Sequence, residues 1–222
     1  MNEIYELATD LRAALAPGWE RCEIAGSLRR GSDMPKDIEM VCIPRIESTP
    51  VYDLFGGAEK TESVNVLEIV LAGLIDSGAW EYDPDLRRNG EKYKRLRHTS
   101  TRNYRGELVA CDLFIVNTRT WGIQFAIRTG PGDFSRALVT RAQRLGMFVS
   151  EGLLHNHTRQ YRRNPITDED QPLPCPKGDA CPLVIPTPEE PDFFAALGVE
   201  YLEPENRGVE NLRMLRKVTN GR

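Results

Sequence analysis

Apolar residues within 4–15 recur at the spacing of one helix face, which predicts an amphipathic helix there. Strand-like composition follows over residues 21–25 and 37–43. Helical spacing returns over 62–76, and Gly78 is expected just after the end of that helix. This alternation predicts that the first half of the chain combines helices with a sheet.

Two further runs in the first half predict strands. Residues 80–82 and 93–97 are expected to pair as a hairpin across Asn89-Gly90, and residues 108–116 form a longer apolar run. Asp112 lies inside that run, where an unpaired charge would cost several kcal/mol. A group that neutralises Asp112 is therefore expected.

The pattern changes character near Asn117. Asp133 is predicted to cap a helix whose apolar face extends to Leu145. The remaining predicted elements are a hairpin formed by 147–150 and 153–155, a proline-rich loop over 165–191 and a short helix over 192–197.

Composition limits the possible functions. The formal net charge of −4 argues against a general polyanion binder, so any nucleic-acid surface must be a local patch. Residues 87–105 contain eight Lys or Arg residues and one Glu, and they form either such a patch or a solvated hairpin. The N-terminus lacks the pattern of a signal peptide, and the apolar stretch 67–75 contains Glu68. We therefore expect a soluble intracellular protein, cytoplasmic and without a membrane partner, whose five scattered cysteines are reduced.

The segment Gly26-Ser27-Leu28-Arg29-Arg30-Gly31 precedes two acids, Asp37 and Glu39. Alternate residues of a strand share one face, so these acids are expected to lie about 6–7 Å apart. Such a pair suits divalent cations, while the glycine-serine turn offers N–H groups and a hydroxyl to phosphate. Arg30 adds a guanidinium that can bind phosphate through two hydrogen bonds.

The chain contains, in order, the motif at 26–31, the acids Asp37, Glu39 and Asp112, and Thr129-Gly130. This ordered set resembles the DNA polymerase X family, the polymerase beta-like nucleotidyltransferases. Segments 193–198 and 201–207 resemble the carboxyl-terminal part of the same family. The resemblance implies an α+β fold, with a nucleotidyltransferase palm over 1–117, made of a mixed sheet with flanking helices, and a small α/β thumb over 118–222. Because one helix precedes Gly26, we expect a minimal palm-plus-thumb form.

The resemblance also implies roles for individual residues. Asp37, Glu39 and Asp112 would be the catalytic residues and would hold two Mg²⁺ or Mn²⁺ ions, with Glu39 standing where the family usually has aspartate. The residues expected to bind the nucleotide are Gly26, Ser27, Arg30, Lys36, Thr129 and Gly130. Arg136, Thr140 and Arg144 would contact DNA, although an exposed polar helix face is the alternative, and Arg29 is either a phosphate ligand or a structural ion-pair residue.

The implied function is a DNA-directed DNA polymerase that adds dNMP from dNTP to a DNA 3′-OH by a two-metal mechanism. Its expected substrates are dNTP and primer-template or gapped DNA, its expected role is gap filling in DNA repair, and we expect a monomer of phage, viral or bacterial origin. Two alternatives remain open at this stage. One is a template-independent or ribonucleotide-using nucleotidyltransferase, and the other is a non-catalytic DNA-binding module with a decayed palm.

Two local predictions complete the sequence analysis. Proline lowers the cost of a cis peptide bond to about 0.5–1 kcal/mol, and the Gly130–Pro131 bond is predicted to be cis. His155, His157, Cys175 and Cys181 form either a zinc site or a set of unrelated loop cysteines and surface histidines.

Overall fold

A computed structural model describes residues 3–52, 58–164, 167, 169–208 and 211 of the chain. The chain divides into two compact units. The first unit contains Met1–Leu28 and Ser32–Asn117, and the second contains Arg29–Gly31 and Thr118–Arg222. Within the described residues, none of the helices has the length and apolar character needed to cross a bilayer.

Up to residue 117 the chain forms three helices and seven strands in the described ranges. They are α1 (Glu3–Ala14), β1 (Trp19–Ile24), the single turn α2 (Gly26–Arg29), β2 (Ile38–Pro44), β3 (Ile46–Tyr52), β4 (Ala58–Asn65), α3 (Val66–Asp76), β5 (Trp80–Tyr82), β6 (Tyr93–Arg102) and β7 (Leu108–Ile115).

Five of these strands form one mixed sheet in the order β1-β2-β7-β6-β5. The β2–β7 pair is parallel and the other neighbours are antiparallel. Leu11 of α1 and Leu71 of α3 belong to the same buried core as Met40 and Leu113, so the two helices cover one face of the sheet. A mixed sheet with flanking helices is therefore confirmed. Since neighbouring residues of a strand point to opposite faces, the residues that alternate with Met40 and Leu113 project from the other face.

The predicted helix over 62–76 begins later than expected. Residues 58–65 instead form β4, which pairs with β3, and Asn65 caps α3 by accepting a hydrogen bond from the Leu67 N–H at 3.1 Å. The sequence placed the start of the helix too early because β4 leads directly into α3. The capping residue, Asn65, is itself the last residue of β4. Gly78 adopts φ +77° just after the helix, as predicted.

The expectation that all five cysteines are reduced is wrong for one pair. Cys22 of β1 and Cys42 of β2 form a disulfide, because antiparallel register places them directly opposite each other. Cys111, Cys175 and Cys181 are free and buried.

From residue 118 onward the described elements are α4 (Trp121–Thr129), α5 (Gly132–Arg144), β8 (Phe148–Ser150), β9 (Leu153–His155), β10 (Tyr161–Arg163), β11 (Asp170–Pro172), β12 (Val184–Ile185) and α6 (Glu190–Ala196). One sheet has the order β12-β9-β8, and β10 pairs with β11. The core of this unit joins Ile123 of α4, Phe134 and Leu138 of α5, and Phe193 and Phe194 of α6.

Several local predictions for this unit need correction. The N-cap of α5 is Pro131 and not the predicted Asp133, which lies in the first turn. Leu145 was expected on the apolar face of this helix but is 42 % exposed. The Gly130–Pro131 bond is trans, so the prediction of a cis bond is wrong. The stretch 165–191 includes β11 and β12 and is more than a loop.

Candidate active site

Three charged side chains form a row across the sheet of the first unit. Glu39 of β2 pairs in register with Asp112 of β7, and Asp112 pairs in register with Arg95 of β6. Residues opposite each other on neighbouring strands project to the same face. All three therefore lie on the face opposite α1 and α3, because Ile38 and Cys111 beside them point into the core.

Asp37 precedes the first residue of β2, whereas the sequence predicted it inside the strand. It is half-buried beside the row. Burial, followed by repulsion from Asp112, raises the pKa of Asp37, while Arg95 and Lys36 act in the opposite direction. The repulsion indicates that the two carboxylates are near neighbours.

Cys111 precedes Asp112 on β7 and points into the core, on the other face of the sheet. Burial, and then the charges of Asp112, Asp37 and Glu39, raise the pKa of the Cys111 thiol well above its usual value. The three carboxylates are therefore close enough to act electrostatically on one thiol. Strand register places Glu39 beside Asp112, and Asp37 lies just before the start of β2.

Asp112 has the neutralising partner that its burial requires. Arg95 Nη1 lies 2.7 Å from Asp112 Oδ1 and 2.9 Å from Oδ2, and the Tyr93 hydroxyl donates to Oδ1 at 2.6 Å. Burial and the hydrogen bond to Asp112 raise the pKa of Tyr93. A guanidinium and a phenol therefore compensate this charge, so the burial of Asp112 does not by itself require a metal ion.

The acids nevertheless suit the cations that the resemblance implies. Carboxylate oxygens are the preferred donors for Mg²⁺ and Mn²⁺. The mutual repulsion of Asp37 and Asp112 is the kind of interaction that a bound cation relieves. Asp112 would share its carboxylate between such an ion and Arg95.

The turn before β2 lies against Glu39. Gly26 has φ +62°, and a Cβ at this position would overlap the Glu39 carboxylate. Only glycine allows both the left-handed backbone and this close approach. The Ser27 carbonyl accepts a hydrogen bond from the Ser32 N–H at 3.0 Å, which closes the loop that follows.

Lys36 is held next to the acids by its backbone. Asn103 Nδ2 donates to the Lys36 carbonyl at 2.9 Å, and Lys36 Nζ lies 3.9 Å from Glu107. The side chain is 45 % exposed, so the ammonium group is accessible to a ligand.

Arg29 and Arg30 are part of the second unit, where both contact Thr129. Arg29 Nη1 donates to Thr129 Oγ1 at 2.6 Å, and Arg30 Nη1 donates to the Thr129 carbonyl at 2.6 Å. Thr129 is fully buried. At Gly130 a Cβ would lie 2.8 Å from a ring carbon of Phe134, so the residue packs closely against α5. The structure groups Arg30, Thr129 and Gly130 together.

Arg29 also belongs to a buried ionic network that the sequence analysis did not find. Glu190, at the start of α6, accepts from Arg29 at 2.8 and 3.1 Å, from Arg207 at 2.5 Å and from the Tyr201 hydroxyl at 2.9 Å. The Arg29 guanidinium stacks on the ring of Phe125 at 3.8 Å. Arg29 therefore forms an ion pair with the buried Glu190, and this is one of the two roles predicted for it.

Residues 125–208 match the family model of the DNA polymerase beta thumb. No curated protein matches the chain. The thumb match lies inside the second unit and extends from Phe125 to just beyond Arg207, so it includes most of the buried network. It supports a relationship to the polymerase beta group over this part of the chain.

Within the matched thumb, α5 carries the predicted DNA-binding residues on one side. Arg136, Thr140 and Arg144 follow one another at intervals of four residues. They therefore lie on one side of the helix, opposite the buried Phe134 and Leu138. Arg136 also pairs with Asp133 at 2.9 Å, with both side chains largely exposed. The face is thus polar and accessible, which suits either a solvated helix or a phosphate-binding surface.

The basic segment 87–105 of the first unit is largely paired within the protein. Ion pairs join Arg87 to Asp85, Arg88 to Asp83, Lys94 to Glu68, Arg95 to Asp112 and Arg97 to Glu81. The segment is therefore much less positive than its composition suggests.

Proposed function

We propose that the protein is a DNA nucleotidyltransferase that adds dNMP from dNTP to a DNA 3′-OH, in gap filling during DNA repair. The thumb match suggests a role related to DNA polymerases or to DNA binding. The observation that supports catalysis is that Glu39 and Asp112 lie side by side on the sheet face opposite α1 and α3, with Asp37 just before β2. Both the assignment of residues 1–117 as a palm and the polymerase activity are part of this proposal.

In the proposed reaction the 3′ oxygen forms a bond to the α-phosphorus of dNTP. The bond between that phosphorus and the bridging oxygen breaks, and pyrophosphate leaves with the bonding electrons. The hydroxyl proton passes to a carboxylate of the acid set. Asp37 suits this role because burial and repulsion from Asp112 raise its pKa, which makes its carboxylate a better proton acceptor.

Asp37, Glu39 and Asp112 would hold two Mg²⁺ or Mn²⁺ ions. Such ions supply Lewis acidity and neutralise the charge of the triphosphate. Arg95 and Tyr93 would hold the Asp112 carboxylate in place through their hydrogen bonds. Gly26 and Ser27 would offer backbone N–H groups to phosphate oxygens.

Lys36 would add a positive charge near the triphosphate, because its ammonium group is accessible and its charge already acts on Asp37. The roles of Arg30, Thr129 and Gly130 toward the nucleotide stay predictions. In the second unit, Arg136, Thr140 and Arg144 would contact DNA phosphates, which position a duplex without reading its sequence.

One observation favours a second candidate, a DNA-binding module without catalysis. Arg95 holds both oxygens of Asp112, as a residue that replaces a lost metal would. In that case the thumb would bind DNA and the acids would be structural.

Primer extension on gapped DNA separates the two candidates. We expect wild-type protein to extend the primer with Mg²⁺ or Mn²⁺, and Asp112→Asn to lose extension while keeping its affinity for the gapped DNA. Glu81→Gln is the matched control, since Glu81 pairs with Arg97 on the same sheet outside the acid row. Binding without extension in the wild type, or full extension by Asp112→Asn, would refute the catalytic proposal.

The same assay distinguishes the nucleotidyltransferases from each other. Omitting the template tests template dependence, and replacing dNTP with the corresponding ribonucleotide tests sugar choice. Extension that needs neither a template nor deoxyribose would replace the gap-filling proposal with the alternative enzyme.

A further inference from the structure

Four potential metal ligands meet at one end of the small sheet in the second unit. His155 ends β9, His157 follows it, and Cys175 and Cys181 flank the short segment before β12. The ligand atoms of these four side chains all lie within 4.8 Å of one another. Residues up to 26 positions apart in the sequence are thus gathered at one point.

The distances match those of a tetrahedral zinc site. Zn–S bonds of about 2.3 Å and Zn–N bonds of about 2.0–2.1 Å place a sulfur and a nitrogen about 3.6 Å apart around one ion. His157 Nε2 lies 3.6 Å from Cys175 Sγ and 3.7 Å from Cys181 Sγ. Both sulfurs are therefore already at the separation that a shared ion would set.

Hydrogen bonding alone does not account for this convergence. His157 Nδ1 lies 3.1 Å from the Thr158 carbonyl, which only accepts, so Nδ1 carries the proton and donates. Nε2 then offers one lone pair, yet two thiol sulfurs lie within 3.7 Å of it. A single cation at the centre uses this lone pair and both sulfurs together, while the bond to Thr158 orients the ring as in known metal sites.

His155 adds a buried nitrogen without a partner. The residue is 1 % exposed, and its Nδ1 atom has no hydrogen-bond partner among the described residues. Leaving such a polar atom buried and unsatisfied is costly. The ring of Phe148 stacks on His155 and contacts His157 edge-on, with Cys175 and Cys181 packed on it, so the site is shielded from solvent.

We propose that His155, His157, Cys175 and Cys181 bind one structural Zn²⁺ ion. Two thiolates and two imidazoles in tetrahedral reach form a set that selects zinc over the hard cations. Four protein ligands fill the coordination shell, so the site is structural and leaves no position for a substrate. This proposal is independent of the proposed polymerase activity.

The ion would join two parts of the thumb that few other elements connect. On one side is the β8–β9 hairpin, and on the other is the segment 175–181, whose described structure is one short 3-10 turn at Gly178–Ala180. The pairing of β12 with β9 is limited to two residues on each strand. A zinc ion would therefore fix a segment that is otherwise lightly held.

The test is metal analysis of the full chain, purified without a histidine tag under reducing conditions with zinc supplied. We expect about one zinc per chain, and a strong thiolate-to-metal absorption after replacement by Co²⁺. Cys181→Ser and His157→Asn are expected to lose at least nine-tenths of the bound zinc.

Two variants serve as matched controls. His98→Asn alters the remaining histidine and Cys111→Ser alters the free cysteine of the first unit, and both should keep a full zinc content. If the ligand variants fail to fold, wild-type protein stripped by a chelator and titrated with Zn²⁺ gives the same stoichiometry.

Three results with the wild-type protein would overturn the proposal. They are absence of stoichiometric zinc in the reduced wild-type protein, a Co²⁺ form without thiolate absorption, and a disulfide between Cys175 and Cys181 that persists under reducing conditions. Equal zinc contents of the ligand variants and the controls would also overturn it, because the metal would then bind elsewhere.

Discussion

Replacing Glu190 with glutamine is expected to destabilise the second unit by about 3–5 kcal/mol. The Glu190 side chain is 3 % exposed and accepts hydrogen bonds from Arg207, Arg29 and Tyr201. Glutamine keeps the size of the side chain but removes its charge. Its amide NH2 group would also face Arg207, Arg29 and Tyr201, which are themselves hydrogen-bond donors. Arg207 is completely buried, so it would be left as a charge without its counter-ion.

The magnitude comes mainly from Arg207. Removing one partner of a buried ion pair costs about 3–5 kcal/mol, because the remaining charge stays in a poorly polarisable environment. Arg29 is partly exposed, so solvent compensates part of its loss. Aromatic rings of Phe134, Phe194 and Tyr201 surround the Arg207 guanidinium within 6 Å and retain part of the interaction.

Urea unfolding can follow this unit alone through Trp121, which is fully buried there. Replacing Trp19 and Trp80 of the first unit by phenylalanine removes the other tryptophan signals. The control is Arg136→Ala, which breaks an exposed pair and is expected to cost about 0.2–1 kcal/mol. A cost for Glu190→Gln no larger than that of the control would refute the reasoning.

The effect should also depend on pH. Burial opposes ionisation of Glu190, but hydrogen bonds from Arg207 and Arg29 outweigh it and lower its pKa. The stabilisation is therefore complete above the pKa of an unfolded glutamate, about 4.3, and is lost as the pH falls through the lower folded pKa. The difference between wild type and variant should narrow at acid pH, and a constant difference would argue against the ionic origin.

Three further predictions concern the proposed polymerase. Gly26→Ala should abolish primer extension and reduce stability, because the new Cβ would overlap Glu39. Gly31→Ala has open space around its Cβ at φ +73°, so it should lower the free energy of unfolding by only about 1–2 kcal/mol, measured by thermal or urea unfolding. Arg95→Met should raise the pKa of Asp37 further, because Arg95 lowers it now, and so move the acid limb of the extension rate to higher pH. Arg144→Gln should weaken DNA binding equally for different sequences and reduce the salt dependence of binding by about one charge.

Each of these has a contrary outcome. Equal losses at Gly26 and Gly31 would show that backbone strain, and not contact with Glu39, decides the effect. Arg97→Met is the control for Arg95, because Arg97 pairs with Glu81, and an equal shift in its pH profile would rule out a local effect on Asp37. An unchanged salt dependence for Arg144→Gln would remove this residue from the DNA-binding face.

Elements with one apolar and one polar face were predictable from the sequence. The helix α5 is an example, because Phe134 and Leu138 alternate with exposed polar residues. The helix α4 lacks that contrast, since buried residues occur on most of its sides, and periodicity did not mark it. The β3–β4 hairpin was missed because the residues whose exposure is described are mostly polar and exposed, without the alternation of a half-buried strand.

The sequence predicted the acids of the candidate site but not the residues that pair with them. Asp37, Glu39 and Asp112 were identifiable by residue type and by short strand patterns. The contact of Arg95 with Asp112 depends on the strand order, in which β6 lies beside β7. The pair of Arg29 and Glu190 spans 161 positions, and no local pattern encodes such a separation.

The assignment of Arg29–Gly31 to the second unit has a consequence for dissecting the chain. A fragment that starts at Thr118 would contain Glu190, Arg207 and Tyr201 but would lack the arginine that contacts the other carboxylate oxygen. Its folding would begin with an incomplete charge balance at the start of α6. The second unit is therefore continuous in space but not in sequence, and cutting the gene just before Thr118 would remove one of its own structural residues.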